Sequence, residues 1–528
     1  MMVSRRFIWC VLSILMLVSL ILKGFHLSPD LLVHGDEARY LSEARLFARL
    51  PGGFYLLYAK PLFSALLAIG LTLFKNEIVG AQWVQVLMAT LWIPVLFLLA
   101  ERLTGRRIIA LLAAFFATVD PWIFHYARHL FPEPLSGLLW MASFYFLICE
   151  EKLKKRHYAL SGFFFGLSIT GNYRMFLVLP FHLLFLLWTQ QETLKDRFKQ
   201  ALIWSGTVIL PLVLWEGAYF LFLSLFVPQS VVPQFKRGYL DQLFYLVHFH
   251  SLYGLRKDSW WTYFFLLKYY EGIPLLLSLG AGVVCVLRGP IKRLKVFLIC
   301  SYFLPLSGFA FSYFPFARFW GSLLFWHPLL ASLGIFSISQ WLGQRFSRGF
   351  VMGMIILPLV VGIGFLPRWL LERSFNIPYE ESLSWMEKNE DSLSKVATSL
   401  PSLIKQLRPS WKIFGLEKFE ENELIRLRIL GVRFFLLIEG MHHIHSPDPY
   451  QSLVVEEDRI AKGLNSFCPV VFQASCTSPA EYWATFAWEH NVRSQDTLHF
   501  LETGDLDRVP CLKIYDINNC SLPQSSME

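Results

Sequence analysis

Pro61-Leu62-Phe63-Ser64-Ala65-Leu66-Leu67-Ala68-Ile69-Gly70-Leu71-Thr72-Leu73-Phe74 is apolar almost throughout but only fourteen residues long. A helix needs roughly 17–25 residues to cross a bilayer, and whether this segment crosses decides the sidedness of everything after it. One apolar run precedes it, Phe7 to Leu22 behind Arg5 and Arg6, and ten follow, near 78–100, 108–124, 131–149, 158–172, 175–189, 201–227, 262–287, 296–314, 319–337 and 351–367. If Pro61–Phe74 does not cross, the clusters Arg102/Arg106/Arg107, Lys152/Lys154/Lys155/Arg156, Lys195/Arg197/Lys199, Arg288/Lys292/Arg293/Lys295 and Arg345/Arg348 all share the side of Arg5 and Arg6. That is the distribution of cytoplasmic loops, and if the segment crosses, every cluster lands outside. Pro61–Phe74 is therefore expected in or near the outer interface. It follows an amphipathic helix expected from Ala38 to Leu50, with Tyr40, Leu41, Ala44, Phe47 and Ala48 on its buried face.

The 528 residues are 55% hydrophobic and 16% aromatic, and the mean hydropathy is +0.46. The apolar share exceeds the usual 45–50% or so of soluble domains. The formal charge of +9 sits largely in short clusters between apolar runs, which sets nucleic-acid binding aside. No small-residue cleavage site follows Leu22, so residues 1–22 are expected to form an uncleaved anchor with a cytoplasmic N-terminus. The expected fold is an all-α polytopic membrane domain over 1–367, with about eleven transmembrane helices plus juxtamembrane helices. A small extracytoplasmic α/β domain is expected over 368–528. In that tail 431–438 and 510–515 read as strands, and 379–396 and 478–490 as helices. Cys468, Cys476, Cys511 and Cys520 also lie there, where an oxidising compartment would permit disulfides of unassigned pairing.

This threading puts Asp36, Glu37, Lys60, Arg128, His129, Glu133, Arg174, the loop 228–261 and Arg318 on the external face. Ionisable residues beside a bilayer are functional-site candidates by default. An acid there can deprotonate an acceptor hydroxyl presented to a lipid-linked donor. Transfer of a sugar from a polyprenyl phosphate needs one base and cations for the departing phosphate, but no general acid, unlike most glycoside hydrolysis, which uses two carboxyl groups. Asp36 is the expected base, with Glu37 orienting it or binding acceptor. Lys60 and Arg318 suit the donor phosphate at headgroup depth, with Arg128. Arg128, His129 and Glu133 form a second outer cluster suited to acceptor, donor or a divalent ion. Arg174, Trp260 and Trp261 complete the expected substrate pocket. No metal ligands are assigned, including the pair His248 and His250, and a divalent cation is the one cofactor left open.

In chain order, Asp36-Glu37-Ala38-Arg39-Tyr40, Lys60-Pro61-Leu62, Arg128 with Glu133-Pro134-Leu135, Ser259-Trp260-Trp261-Thr262-Tyr263 and Arg318 before a span containing Pro328 resemble the motifs of the GT-C glycosyltransferases. The protein O-mannosyltransferase and aminoarabinose transferase group is the part of that superfamily most similar. The resemblance covers most of 1–340. It implies an inverting enzyme using a polyprenyl-phosphate monosaccharide, with the catalytic acid at Asp36 and donor-facing cations at Lys60 and Arg318. Its implied partners are the lipid-linked sugar, a hydroxyl acceptor on protein, lipid or glycan, and membrane lipids. The chain departs from the family at Lys60-Pro61-Leu62, where the family has Lys-Pro-Pro-Leu. It departs again at Trp260-Trp261-Thr262-Tyr263, in place of Trp-Tyr-Tyr, and at Glu133, where many relatives carry Asp.

The same residues have plainer roles. Asp36-Glu37 can charge the first turn of a helix, Lys60 and Arg318 can be snorkelling anchors, and Trp260 and Trp261 can belong to an interfacial aromatic belt. The competing functions are a transporter or flippase of lipid-linked sugars and an oligosaccharide ligase. A transporter calls for ionisable residues at mid-membrane and matching interrupted halves. Asp120 and Glu216 are read as the only acids well inside apolar runs, and no halves repeat. The expected location is a bacterial inner membrane.

Overall fold

The computed structural model describes residues 5–32, 35–53, 60–149, 154–189, 193–226, 239–241, 243–244, 260–310, 321–374, 376–389, 395–416, 420–439, 451–475 and 511–521. The chain forms two compact units: 1–25, 57–67 and 81–369 in the first, 26–56, 68–80 and 370–528 in the second.

The first unit is helical. It contains α1 (Arg5–Gly24), the larger part of α4 (Glu77–Thr90), α5 (Trp92–Thr104), α6 (Arg107–Val119), α7 (Pro121–Arg128), α8 (Glu133–Ile148), α9 (Lys155–Gly171), α10 (Leu179–Thr189), α11 (Leu194–Phe226) and α12 (Trp260–Arg288). After α13 (Lys292–Leu298) and α14 (Leu304–Ala310), joined by a π turn at Ile299–Phe303, come α15 (Trp326–Arg345) and most of α16 (Gly349–Ser374). Phe7, Ile14, Leu17 and Ile21 on α1, and Val351, Ile355, Leu359 and Ile363 on α16, are exposed. Apolar faces left outward on apolar helices mark a multi-pass membrane protein.

Among the described residues six helices are long and apolar enough to span a bilayer, or seven if the bent pair α6–α7 is one span. Four shorter apolar helices lie at 61–73, 133–148, 173–188 and 294–307. The expectation of about eleven full-length spans is thus met by length only in part. One break has a local cause. Asp120 adopts extended backbone, accepts from Trp122 N and Ile123 N at 2.9 Å each, and precedes Pro121, so α6 ends and α7 starts bent by 50°.

The second unit is α/β. β1 (Lys395–Thr398), β2 (Lys412–Gly415), β3 (Phe434–Glu439), β4 (Val470–Ser475) and β5 (Cys511–Asp516) form one sheet in the order β2-β1-β3-β5-β4. The first three strands are parallel, and β5 runs antiparallel to β3 and β4. Crossover helices α18 (Pro401–Leu407) and α19 (Glu421–Ile429) serve the parallel part, as parallel pairs require. Alternation in β3 sends Phe435 and Leu437 into a core with Leu424, Leu427, Ile460 and Leu464. The neighbouring residue Phe434 meets Trp385 of α17 (Tyr379–Asn389), their ring centroids 5.6 Å apart. Cys468 and Cys520 are disulfide-bonded, while Cys476 lies outside the described residues.

Of the tail expectations, strands at 434–439 and 511–516 agree with the reading. The helix expected over 379–396 stops at Asn389, and 395–398 is strand β1 instead. The short Lys395-Val396-Ala397-Thr398 pairs with two neighbours distant in sequence, which outweighs local helix continuity. The helix expected over 478–490 lies outside the described residues.

α2 (Gly35–Ala48) and Ser28–Leu32 also belong to the second unit. Arg45 Nη2 donates to Gln406 O at 3.1 Å and Nη1 pairs with Glu77, while Glu380 N donates to Asp30 Oδ1 at 3.0 Å. The helix expected over Ala38–Leu50 starts three residues earlier; Tyr40, Leu41 and Ala44 are buried, whereas Phe47 and Ala48 are half-buried.

Candidate functional site

In the first unit the chain from α7 to α8 carries three of the polar residues singled out above, Arg128, His129 and Glu133. Gln85 of α4 fixes that connection by donating from Nε2 to Tyr126 O (2.8 Å) and Phe131 O (2.6 Å). Trp92 Nε1 donates to Pro134 O (2.7 Å), and Ser168 Oγ to Ser136 O (2.9 Å). Backbone carbonyls are thereby tied to three other helices, and the side chains between them inherit fixed positions.

Glu133 opens α8 and is fully buried. Its Oε1 accepts from Arg174 Nη1 at 3.2 Å and from Asn172 Nδ2 at 3.5 Å. Arg174 is only 7% exposed in its side chain, so the pair is largely desolvated. Tyr173, next to it, presents its ring to two cations, with Lys60 Nζ and Arg174 Cζ each 5.6 Å from the centroid. Lys60 is buried just before α3 (Pro61–Leu73). The structure thus gathers Lys60, Glu133 and Arg174 around Tyr173. Arg128 and His129 close α7; Arg128 lies over the Phe124 ring (5.2 Å) and His129 packs on His125 (4.5 Å). Gly321 approaches Glu133 so closely that a Cβ would fall 2.8 Å from its Cβ and Cγ.

Asp36 and Glu37 lie in the first turn of α2 in the second unit, both buried, and Arg39 Nη1 donates to Asp36 Oδ1 at 3.3 Å. The acids therefore sit where a helix N-terminus favours negative charge. In the same unit burial pushes the Asp30 carboxyl up to about 6. Burial also lowers Arg45, with the Glu77 carboxylate opposing. Arg318 and the side chains of Trp260 and Trp261 lie outside what the structure describes.

One polar cluster has no counterpart in the sequence reading. Asp120, at the α6–α7 break, Glu271 on α12 and His327 on α15 offer oxygen or nitrogen atoms within 4.8 Å of one another, all buried. The expectation that Asp120 and Glu216 are the only acids within apolar runs is corrected here, because Glu271 lies inside the run 262–287. Its signal was available: Gly272 (φ 74°) and Pro274 interrupt that run directly after it, and breaks beside an intramembrane acid are a marker of function.

Residues 59–215 match the family described as dolichyl-phosphate-mannose-protein mannosyltransferase. That range includes Lys60, Arg128, His129, Glu133 and Arg174. No curated protein sequence matches the chain significantly. Among solved structures, ArnT from Cupriavidus metallidurans bound to undecaprenyl phosphate superposes with a TM-score of 0.56 at 13% identity, covering 86% of this chain and 95% of its own. The archaeal oligosaccharyltransferase AglB from Archaeoglobus fulgidus, in complex with an inhibitory peptide and a dolichol-phosphate, gives 0.54 at 12% identity over 90% and 74%. The same protein in complex with Zn and sulfate gives 0.53 at 13% over 89% and 72%. At these identities the likeness is one of fold.

Proposed function

We infer, from a chain whose fold is that of the GT-C glycosyltransferase superfamily, that this protein moves a monosaccharide from a polyprenyl phosphate to a hydroxyl acceptor with inversion at the anomeric carbon. The observation that carries the reading is the buried group Lys60–Tyr173–Arg174–Glu133 inside the segment that matches the mannosyltransferase family. The two structures solved with undecaprenyl phosphate and dolichol-phosphate support the donor class.

Asp36 takes the proton of the acceptor hydroxyl, and Glu37 orients it. The hydroxyl oxygen attacks the anomeric carbon from the face opposite the phosphate, and the carbon–oxygen bond to the phosphate breaks. The phosphate leaves as an anion, so no acid is required. Lys60, Arg318 and Arg128 offset its charge as it develops. Glu133 and Arg174 neutralise one another and hold the wall of the pocket, while His129, Trp260 and Trp261 contact sugar or acceptor. The zinc seen with AglB concerns that protein; in this chain Asp120, Glu271 and His327 are the described residues able to hold a divalent ion, and no step above runs through one. The positive clusters on the side of Arg5 and Arg6 support a cytoplasmic N-terminus and an extracytoplasmic α/β domain; the membrane we propose is a bacterial inner membrane.

Membranes carrying the chain, incubated with radiolabelled polyprenyl-phosphate sugars with and without hydroxyl acceptors, test the reading. Acceptor-dependent transfer is expected. Movement of the labelled lipid across the bilayer without transfer would replace the reading by a flippase.

A further inference from the structure

Two carboxylates and an imidazole meet where three helices are tightly held. Asp120 is 1% exposed, and Glu271 and His327 are fully buried. Asp120 Oδ1 is occupied in capping α7, which leaves Oδ2 with no hydrogen-bond partner. Glu271 Oε1 and His327 Nδ1 share a hydrogen bond of 2.5 Å, which leaves Glu271 Oε2 with none. Two carboxyls this close in a dry interior are costly as anions, and they either share a proton or are joined by a cation. Lys23, buried in the same unit, is near enough to Asp120 to interact with its charge, and its Nζ donates to Ala117 O at 3.2 Å.

The frame around these atoms is rigid. Trp122 stacks on Tyr270 (5.0 Å, 6° between planes), and the Arg368 guanidinium lies 4.0 Å from the Tyr270 centroid. Trp369 Nε1 donates to Val119 O at 2.8 Å. These contacts bring α6, α7, α12, α15 and α16 to one junction, and Gly272 supplies the left-handed turn that puts Glu271 at the kink of α12.

We propose that Asp120, Glu271 and His327 form a structural site for one divalent transition cation, of the Zn²⁺ or Mn²⁺ class. The donor set of two carboxylates and one imidazole is that of a borderline ion, whereas Ca²⁺ and Mg²⁺ favour all-oxygen shells. Ligand atoms on an ion about 2.1 Å away stand roughly 3 Å apart, so binding would replace the hydrogen bond between Glu271 and His327 and respace three groups that already lie within 4.8 Å of one another. The ion would pin α7 at its first turn and so fix the other end of that short helix, where Arg128 lies. This assignment does not depend on the transfer reaction.

The full chain, purified in detergent, stripped with chelator and dialysed against Zn²⁺ or Mn²⁺, is assayed for bound metal by mass spectrometry. One ion per chain and a raised thermal midpoint on metal addition are expected. Glu271→Gln and His327→Ala should each lower the affinity at least about tenfold and abolish the midpoint shift. X-ray absorption on the zinc-loaded wild type serves if a variant fails to fold, and should give an oxygen and nitrogen shell that includes an imidazole. Absence of metal uptake by the wild type would mean that the carboxyls share a proton and would overturn the site. Undiminished uptake by a folded variant, or a sulfur-containing shell, would overturn it equally.

Discussion

Arg174 donates to Glu133 across 3.2 Å, with 7% and 0% of the two side chains exposed. Breaking such a pair on one side leaves the other charge buried, at a cost of roughly 3–5 kcal/mol. Arg174→Ala is therefore expected to lower stability by about 3 kcal/mol, read as a denaturation midpoint in detergent. Glu133→Gln combined with Arg174→Ala should cost less than the sum of the single changes, since neither leaves an ion behind. Additive losses would show that the two side chains are not coupled.

On the proposed mechanism Asp36, as base, and Lys60, as phosphate cation, separate kinetically. Asp36→Asn keeps size and the helix N-terminal position but cannot take a proton, so kcat for transfer should fall by about 10²–10⁴ with protein levels in the membrane unchanged. Lys60→Ala should lower kcat/KM for the lipid donor by about 10²-fold or more, leaving the acceptor KM nearly untouched. Near-normal turnover of the Asp36 variant would remove it from the mechanism.

Asp30 supplies a pH test of the second unit. Its carboxyl is raised from 3.8 to about 6, first by burial and then by the Glu380 and Glu381 charges, against hydrogen bonds from Glu380 N and Tyr379 N. The folded state then holds a proton that the unfolded chain has lost between those two values. The stability that this group contributes should be full below about pH 4, decline toward pH 6, and be absent above it. The rise from 3.8 to about 6 corresponds to about 3 kcal/mol in full burial, but solvent reaches this residue and the expected contribution is about 1 kcal/mol. Asp30→Asn retains an acceptor for Glu380 N and cannot ionise. The difference in thermal midpoint between variant and wild type should grow from pH 4 to pH 6; a constant difference would refute the assignment.

How much of this was legible depends on whether the signal was local. The α2 face at Tyr40, Leu41 and Ala44 repeats within one helix, and the apolar runs of β3 and β5 stand out between polar neighbours. Lys60, Glu133 and Arg174 were visible as polar residues in loops assigned to one side by the charge clusters. Their mutual geometry was not, because Tyr173, which joins them, has no distinguishing pattern. The strand Lys395–Thr398 exists through pairing to Lys412–Gly415 and Phe434–Leu436, and four residues carry too little periodicity to announce it. His327 is the one histidine of its apolar run, which holds no Asp, Glu, Lys or Arg, and Glu271 shares its run with Lys268; the two are 56 positions apart, and nothing local connects them. The crossing of α12 and α15 is what does.

That crossing yields the last prediction. A Cβ at Gly282 would fall 2.0 Å from Leu330 O, and one at Gly334 would fall 2.0 Å from Ser278 O. Both clashes are with backbone, which cannot rotate aside, so the helices approach at a distance only glycine allows. Gly282→Ala or Gly334→Ala must push α12 and α15 apart, at a cost of about 1–3 kcal/mol. The displacement should also stretch the hydrogen bond between Glu271 and His327, which sit on those two helices. Gly280, on the same helix as Gly282, has nothing within 4 Å of where its Cβ would lie. Gly280→Ala should therefore be neutral or stabilising by up to about 1 kcal/mol through helix propensity. Thermal midpoints of the three variants in detergent give the comparison, and equal effects at 280 and 282 would refute the close crossing.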